Sequence, residues 1–289
     1  MKFHRKQFYY LIVVSCLAVV LLLAKYMTSI HATVFSFSVM GDVPRTAEEK
    51  AILTEQIVKH NEMSQAKFMI HVGDIKSGSE PCIEQIYQSV AMQLKALDVP
   101  TFIVPGDNEW NDCEDPDEAW KFWADTFLNF ERNWNYPWKV IHHTTQKENL
   151  AFVYQNVLFI GINLVGGLIH SQSEWDEKIA YNLDWIKYCF DKRDVKLAVI
   201  FAQASPDEKH ASFIQEFREM AKLFGKKILF IHGDGHEWLH MDGWLEPNIV
   251  RIQVAKGGIA DPLEVSINID DSKQFAFERN PFNRVKGDE

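Results

Sequence analysis

Apolar positions in this chain form short runs that alternate with longer amphipathic stretches. The short runs predict strands at 36–40, 67–72, 101–104, 151–154, 157–162, 196–201 and 228–232. The amphipathic stretches predict helices at 46–61, 81–97, 173–192 and 206–224, and another that begins at 115. Further strands are predicted at 237–241, 249–254, 263–269 and 274–278, whereas 131–150 is predicted to be irregular. This order predicts one α/β domain over residues 33–289, with a mixed second sheet at its C-terminal end.

Four of the predicted strands end in the same dipeptide. The pairs are Gly41-Asp42, Gly73-Asp74, Gly106-Asp107 and Gly233-Asp234, and the last is followed by Gly235-His236. A single Gly-Asp pair is most often a turn or a helix cap. Four pairs at the carboxyl ends of strands, where α/β sheets bind their ligands, would gather four carboxylates that repel one another. One or two divalent cations would neutralise them, so the pattern favours a metal site.

The first 32 residues differ from the rest of the chain. An apolar run at 8–24 follows the basic start Lys2-Phe3-His4-Arg5-Lys6 and can extend to residue 27. This pattern is typical of a signal peptide or an uncleaved anchor. We predict a cytosolic tip, a hydrophobic helix that crosses a membrane through residues 8–27, and a short linker to residue 32. The domain is then periplasmic, lumenal or extracellular, and secretion after signal cleavage is the alternative.

The net charge limits the classes of partner that the protein can bind, and the cysteines bear on the cellular compartment in which it is found. The formal net charge is −10, and the first 25 residues hold four basic and no acidic residues, so the body is more acidic still. An acidic body argues against nucleic acid as the main partner, and the sequence indicates no particular protein partner. Cys82 and Cys113 each follow a strand end, and in an oxidising compartment we expect a disulfide between them. Cys189, in a helical pattern, is expected to be a small buried hydrophobe.

The Gly-Asp pairs, together with Asn108, Glu109 and His236, resemble the motifs of calcineurin-like metallophosphoesterases. The resemblance covers about residues 35–240 and implies a four-layer α/β/β/α sandwich, here preceded by one N-terminal hydrophobic helix. It also implies a site for two divalent ions. One ion would take Asp42, Asp74 and His236, and the other would take Asp74, Asp107, Asp234 and Gln203. Asp74 would bridge the two ions.

Several histidines of the family pattern are replaced in this chain. Pro44, Asn108, Gln203 and Asp234 stand where the family has histidine, and Asp107 stands where it has asparagine. The remaining site is rich in oxygen and poor in nitrogen. Hard ligands of this kind shift the preference from Zn towards Mg, Mn or Ca, and Fe also stays a candidate.

The resemblance implies a hydrolase of phosphate monoesters or diesters, in which metal-bound hydroxide attacks phosphorus. The candidate catalytic residues are Asn108 and His236, and the candidate substrate-binding residues are Lys76, Asn108 and Asn163. Because the histidines are replaced, a catalytically weak or inactive protein that acts as a binding or scaffold module is the alternative. A glycosidase is disfavoured, since it needs two carboxyl groups in different environments rather than four at strand ends.

Overall fold

The computed structural model describes residues 34–283, which contain twelve strands and five α-helices. The strands are β1 (Val34–Met40), β2 (Met69–His71), β3 (Thr101–Ile103), β4 (Val140–His142), β5 (Leu150–Tyr154), β6 (Val157–Gly161), β7 (Leu197–Phe201), β8 (Ile228–His232), β9 (Leu239–Asp242), β10 (Ile249–Gln253), β11 (Leu263–Asn268) and β12 (Phe275–Glu278). The helices are α1 (Ala47–Met63), α2 (Glu84–Leu94), α3 (Pro116–Phe127), α4 (Gln172–Asp191) and α5 (Ala211–Phe224).

The strands form two sheets. One has five strands in the order β12-β11-β1-β2-β3, and the other has seven in the order β4-β5-β6-β7-β8-β10-β9. Strands β1, β2 and β3 run parallel to one another, as do β6, β7, β8 and β10. The carboxyl ends of β1, β2 and β3 therefore share one edge of the first sheet, and those of β7 and β8 share one edge of the second.

The prediction of a mixed second sheet at the C-terminal end is wrong in one respect, because the C-terminal strands do not all belong to the same sheet. Strands β9 and β10 extend the seven-stranded sheet, whereas β11 and β12 extend the five-stranded one. Strand β11 pairs antiparallel with β1, from Val34 opposite Asn268 to Val39 opposite Leu263. The C-terminal strands are thus divided between the two sheets.

The core between the sheets is aromatic. Along β1, Phe35, Phe37 and Val39 face the other sheet, as the two-residue period of a strand requires. Phe68 lies at the centre of this core and contacts the rings of Phe37, Phe102, Trp138, Phe152, Tyr154 and Phe159.

Helices cover the outer faces of both sheets. Leu53 and Ile57 of α1 pack with residues of α2 and α3 on the five-stranded sheet. Ile179 of α4 and Phe213 of α5 pack on the seven-stranded sheet. The fold is therefore the expected mixed α/β sandwich, in the layer order α/β/β/α.

Several local predictions need correction. Residues 140–142 form β4, an edge strand paired with β5, within a segment predicted to be irregular. Helix α2 begins at Glu84 rather than at residue 81, and α5 begins at Ala211, after a short 3-10 turn at Glu208–His210. The predicted starts of α1 and α3 near residues 46 and 115 are confirmed, since the side chains of Thr46 and Asp115 cap these helices by accepting hydrogen bonds from the backbone N–H groups of Glu49 and Glu118.

The predicted anchor at 8–27 lies outside the described residues. Across residues 34–283, no helix combines the length and the apolar character that a membrane crossing needs.

Candidate metal centre

The structure brings the four strand-end carboxylates together where the two sheets meet. Asp42, Asp74 and Asp107 follow β1, β2 and β3, and Asp234 follows β8 of the other sheet. The backbone N–H of Asp234 donates to Asp42 Oδ1 at 3.2 Å and so links the two sheet edges. Gly166 lies against the other pair, because a Cβ atom at this position would be 3.0 Å from Asp107 Oδ2 and 3.2 Å from Asp234 Oδ2.

Four residues of this centre adopt left-handed backbone conformations. The φ angles are +55° at Asp42, +59° at Asp74, +69° at Asp234 and +62° at His236. Aspartate tolerates this region better than most residues, but each instance is uncommon. Their concentration at one place is typical of a functional site, where the surrounding structure holds side chains in a required direction.

The glycines of two Gly-Asp pairs are required by close approach. A Cβ atom at Gly106 would be 2.2 Å from Asp74 Oδ1 and 2.3 Å from its backbone nitrogen. A Cβ atom at Gly233 would be 2.6 Å from Asp42 Oδ2. Each glycine makes room for a carboxylate that comes from a neighbouring strand end, which gives the repeated dipeptide a physical reason.

Asp42, Asp74 and His236 form a cluster that suits a cation. One ligand atom from each lies within 4.8 Å of the other two, and His236 Nε2 is 3.3 Å from Asp42 Oδ1. Asp42 Oδ2 is buried and has no hydrogen-bond partner among the described residues. Since a buried carboxylate oxygen is costly without a partner, this orphaned atom supports a bound cation. Two carboxylates and one imidazole are also a donor set that fits a divalent metal ion.

Burial and mutual repulsion raise the pKa values of Asp74, Asp107 and Asp234. Burial, followed by the charges of Asp107 and Glu109, raises the pKa of Asp74 well above its usual range. Burial also raises the pKa of Asp107 to about 6, and burial is the main cause of the raised pKa of Asp234. A cation among them would favour their ionised forms.

Glu109 connects the loops after β2 and β3. It is fully buried, and its carboxylate accepts hydrogen bonds from the backbone N–H groups of Gly106, Asp74 and Ile75 at 2.6, 3.2 and 3.3 Å. Burial raises its pKa to about 7. Glu109 therefore fixes the backbone that carries Asp74.

Two side-chain amides hold carboxylates of the centre. Asn108 Nδ2 donates to Asp74 Oδ2 at 2.6 Å. Gln203 Nε2 donates to Asp107 Oδ1 at 2.9 Å, while Gln203 Oε1 accepts from the backbone N–H of Gly166. The amide oxygen of Gln203 is thus used by the backbone, and this geometry favours positioning of Asp107 over the metal ligation predicted for Gln203.

Two predicted substrate-binding residues are engaged in contacts with other protein groups. The Lys76 ammonium is buried and donates to the backbone oxygens of Ser77 and Asn108 at 2.8 and 2.7 Å, so it supports the loop. Asn163 is buried and donates to Glu148 Oε1, in the wall of a separate cavity. A direct contact of either residue with phosphate stays a prediction.

Arg45 is a site residue that the sequence patterns missed. Its guanidinium Nη1 contacts His236 Nε2, and its backbone N–H donates to Glu49 Oε2 at 2.7 Å. Arg45 follows Pro44, the position of a replaced histidine. Attention to that replacement could have led to the neighbouring arginine as a source of positive charge.

The expected disulfide between Cys82 and Cys113 is confirmed, with 6.0 Å between the Cα atoms. Both sulfur atoms lie within 3.8 Å of the Asn108 carbonyl oxygen. The bridge therefore braces the segment that carries Asp107 and Asn108. Cys189 is buried and unbridged, as expected.

Two solved structures share this fold. 5'-Nucleotidase from Candida albicans has a TM-score of 0.56 and 14% identity, over 86% of this chain and 52% of that chain. The protein TT1561 of Thermus thermophilus has a TM-score of 0.52 and 14% identity, over 86% of this chain and 99% of that chain. This chain spans about half the length of the Candida nucleotidase, and at such identity the likeness shows the fold alone. No protein-family model matches the sequence, and a comparison with curated proteins gives no match.

Proposed function

We propose that the protein is a divalent-metal-dependent hydrolase of phosphate esters. The observation that carries the proposal is the cluster of Asp42, Asp74 and His236, with its orphaned oxygen Asp42 Oδ2. These three residues would hold the ion. When bound, a divalent ion supplies a Lewis acid that polarises a phosphoryl oxygen and lowers the pKa of a bound water. The shared fold with a protein named 5'-nucleotidase, from Candida albicans, is consistent with this chemistry.

The argument for a second ion is the family resemblance. Asp107 and Asp234, on either side of Gly166, are the groups that would hold it with Asp74. Gln203 then acts by keeping Asp107 in place. The identity of both ions, among Mn, Mg, Fe, Ca and Zn, belongs to the same proposal.

The remaining polar groups have roles set by their chemistry. The Arg45 guanidinium can donate to anionic phosphate oxygens, for which its planar donor fork is suited. Asn108 orients Asp74, and its amide cannot give a proton to the leaving group. The reaction therefore depends on the leaving group itself, and we expect aryl esters to react faster than alkyl esters.

The contact of Arg45 with His236 favours one alternative function, that of a non-catalytic binding protein. A guanidinium against the histidine that would bind metal is also compatible with a non-catalytic protein that binds a partner. Such a protein would turn over no phosphate ester at any metal concentration.

Hydrolysis of an aryl phosphate monoester and an aryl phosphodiester separates the two functions. We expect turnover that requires added Mn²⁺ or Mg²⁺, stops with a chelator and is lost in Asp74→Ala. Asp242→Asn, an exposed carboxylate outside the centre, is the matched control and should keep full activity. Absence of turnover with every ion, or an active Asp74→Ala variant, would overturn the proposal.

Membrane anchoring through residues 8–27, the boundaries 1–32 and 33–289, and a location outside the cytosol also remain part of the proposal. The Cys82–Cys113 disulfide supports an oxidising compartment.

A further inference from the structure

A cavity of about 680 Å³ lies beside the metal centre. Trp110, Trp120, Trp175, Glu148, Asn163 and Lys178 are among the residues that line it, and we call it the tryptophan cavity. None of the strand-end aspartates lines it. Its volume and its aromatic walls fall in the range of sites for small organic molecules.

The tryptophan cavity and the metal centre share one loop. Leu164 and Val165, which follow β6, line the cavity, and the next residue, Gly166, lies against Asp107 and Asp234. Because β6 runs parallel to β7 and β8, the cavity lies towards the same carboxyl edge as the metal centre.

Two residues that line the cavity each have one buried polar atom without a partner among the described residues. These atoms are Asn163 Oδ1 and Trp110 Nε1, and the two residues are only 4% and 5% exposed. The Asn163 amide has a settled orientation, because its Nδ2 donates to Glu148 Oε1 at 2.8 Å. Its oxygen is therefore a free acceptor, and the indole N–H of Trp110 is a free donor. An unpaired buried group of this kind destabilises the fold, and a ligand that pairs with it removes that cost.

Two charged residues of the wall, Lys178 and Glu148, already have partners. The Lys178 ammonium lies 3.7 Å from the ring centroid of Trp110 and donates to Glu174 Oε1 at 2.6 Å. Burial raises the pKa of Glu148, and its carboxyl is occupied by Asn163. Lys178 and Glu148 therefore need no phosphate or other strong ion as a partner.

We propose that the tryptophan cavity binds a small uncharged heteroaromatic molecule that presents one hydrogen-bond donor and one acceptor. The donor pairs with Asn163 Oδ1, the acceptor pairs with Trp110 Nε1, and the ring packs among the indoles. This proposal does not depend on the metal centre or on hydrolysis.

Three flat probes of similar size separate the parts of the proposal. Benzimidazole has both a donor and an acceptor, indole has only the donor, and quinoline has only the acceptor. Calorimetry with the full chain, in the presence of a chelator, should give the tightest binding for benzimidazole. Each missing hydrogen bond should weaken binding about three- to tenfold.

Two conservative variants assign the contacts. Trp110→Phe keeps an aromatic ring and should remove the advantage of benzimidazole over indole. Asn163→Leu keeps the side-chain volume and should remove its advantage over quinoline. Trp238→Phe, outside the cavity, is the control and should bind all three probes like the native protein. Circular dichroism confirms that each variant is folded.

The contrary results are equally definite. No binding of benzimidazole to the native protein at millimolar concentration would overturn the proposal and assign the orphaned atoms to water. Equal affinities for the three probes, or folded variants that bind like the native protein, would also overturn it.

Discussion

Arg45 brings a positive charge into contact with His236 of the metal centre. Its guanidinium contacts His236, and its backbone is held by Glu49, which also pairs with Lys256. These contacts give Arg45 a fixed position just before the N-terminus of α1. A group in that position is suited to bind the anionic part of a phosphate ester.

We expect Arg45→Gln to raise KM for an aryl phosphodiester about tenfold or more, with a smaller change in kcat. The estimate follows from about 1.5–3 kcal/mol for a hydrogen bond to a charged group. Arg45→Lys keeps the charge but loses the planar donor fork, so its KM should lie between those of the native protein and Arg45→Gln. Arg132→Gln, an exposed arginine elsewhere, is the control. An unchanged KM in Arg45→Gln would contradict the assignment.

Glu109 illustrates how a single buried carboxylate sets the geometry of the metal centre. Its three backbone contacts join two loops that come from different strands. We expect Glu109→Ala to lower the free energy of unfolding by about 2–4 kcal/mol, because three buried N–H groups lose their acceptor.

Glu109→Gln is the informative companion variant. A carbonyl oxygen in the place of Oε1 keeps the contacts with Gly106 and Asp74 and loses only that with Ile75. Urea unfolding should therefore rank stability as native, then Glu109→Gln, then Glu109→Ala. Equal stability of the native protein and Glu109→Ala would show that the three contacts contribute nothing.

At the scale of elements, α1 is attached to the first sheet through a buried histidine. His60 is 2% exposed, its Nε2 is 3.0 Å from the Ser38 hydroxyl of β1, and its ring meets Phe282. Burial lowers the pKa of His60 from 6.5 to about 4. Between pH 6.5 and about pH 4, His60 is therefore protonated in the unfolded chain and neutral in the folded chain. Stability is then lost as the pH falls from about 6.5 towards 4.

The contribution of His60 between pH 7 and pH 5 is about 2 kcal/mol by this linkage. The side chain of His60→Gln does not titrate. Between pH 7 and pH 5 we therefore expect this variant to lose about 2 kcal/mol less unfolding free energy than the native protein loses. Urea unfolding at both pH values measures the difference, and His240→Gln, an exposed histidine, is the control. Identical pH dependence in His60→Gln and the native protein would contradict this account.

The elements themselves were largely predictable, because their signals are local. The strand at 228–232 and the helix starts near residues 46 and 115 agree with the sequence patterns. Strand β4 was missed because its three residues lie in an aromatic segment and owe their conformation to pairing with β5. The division of β9–β12 between two sheets was also missed, since pairing of β11 with β1 joins residues more than two hundred positions apart.

At the scale of the whole molecule, the two sheets meet at the edge where the candidate metal ligands lie. Three aspartates come from one sheet, and Asp234 and His236 come from the other. The Gly-Asp repeats predicted this gathering, because strand ends are visible in sequence. The directions of side-chain hydrogen bonds are not visible in sequence. The contacts of Gln203, Lys76 and Arg45 therefore required the structure.

Manganese binding by the purified protein tests the central claim most directly. The account predicts that the native protein binds Mn²⁺ in equilibrium dialysis at a stoichiometry of at least one. It also predicts that folded Asp74→Asn loses affinity by more than tenfold, because the carboxylate at the middle of the centre is gone. Asp242→Asn should bind like the native protein. Absence of bound Mn²⁺, or equal binding by the native protein and Asp74→Asn, would contradict the account.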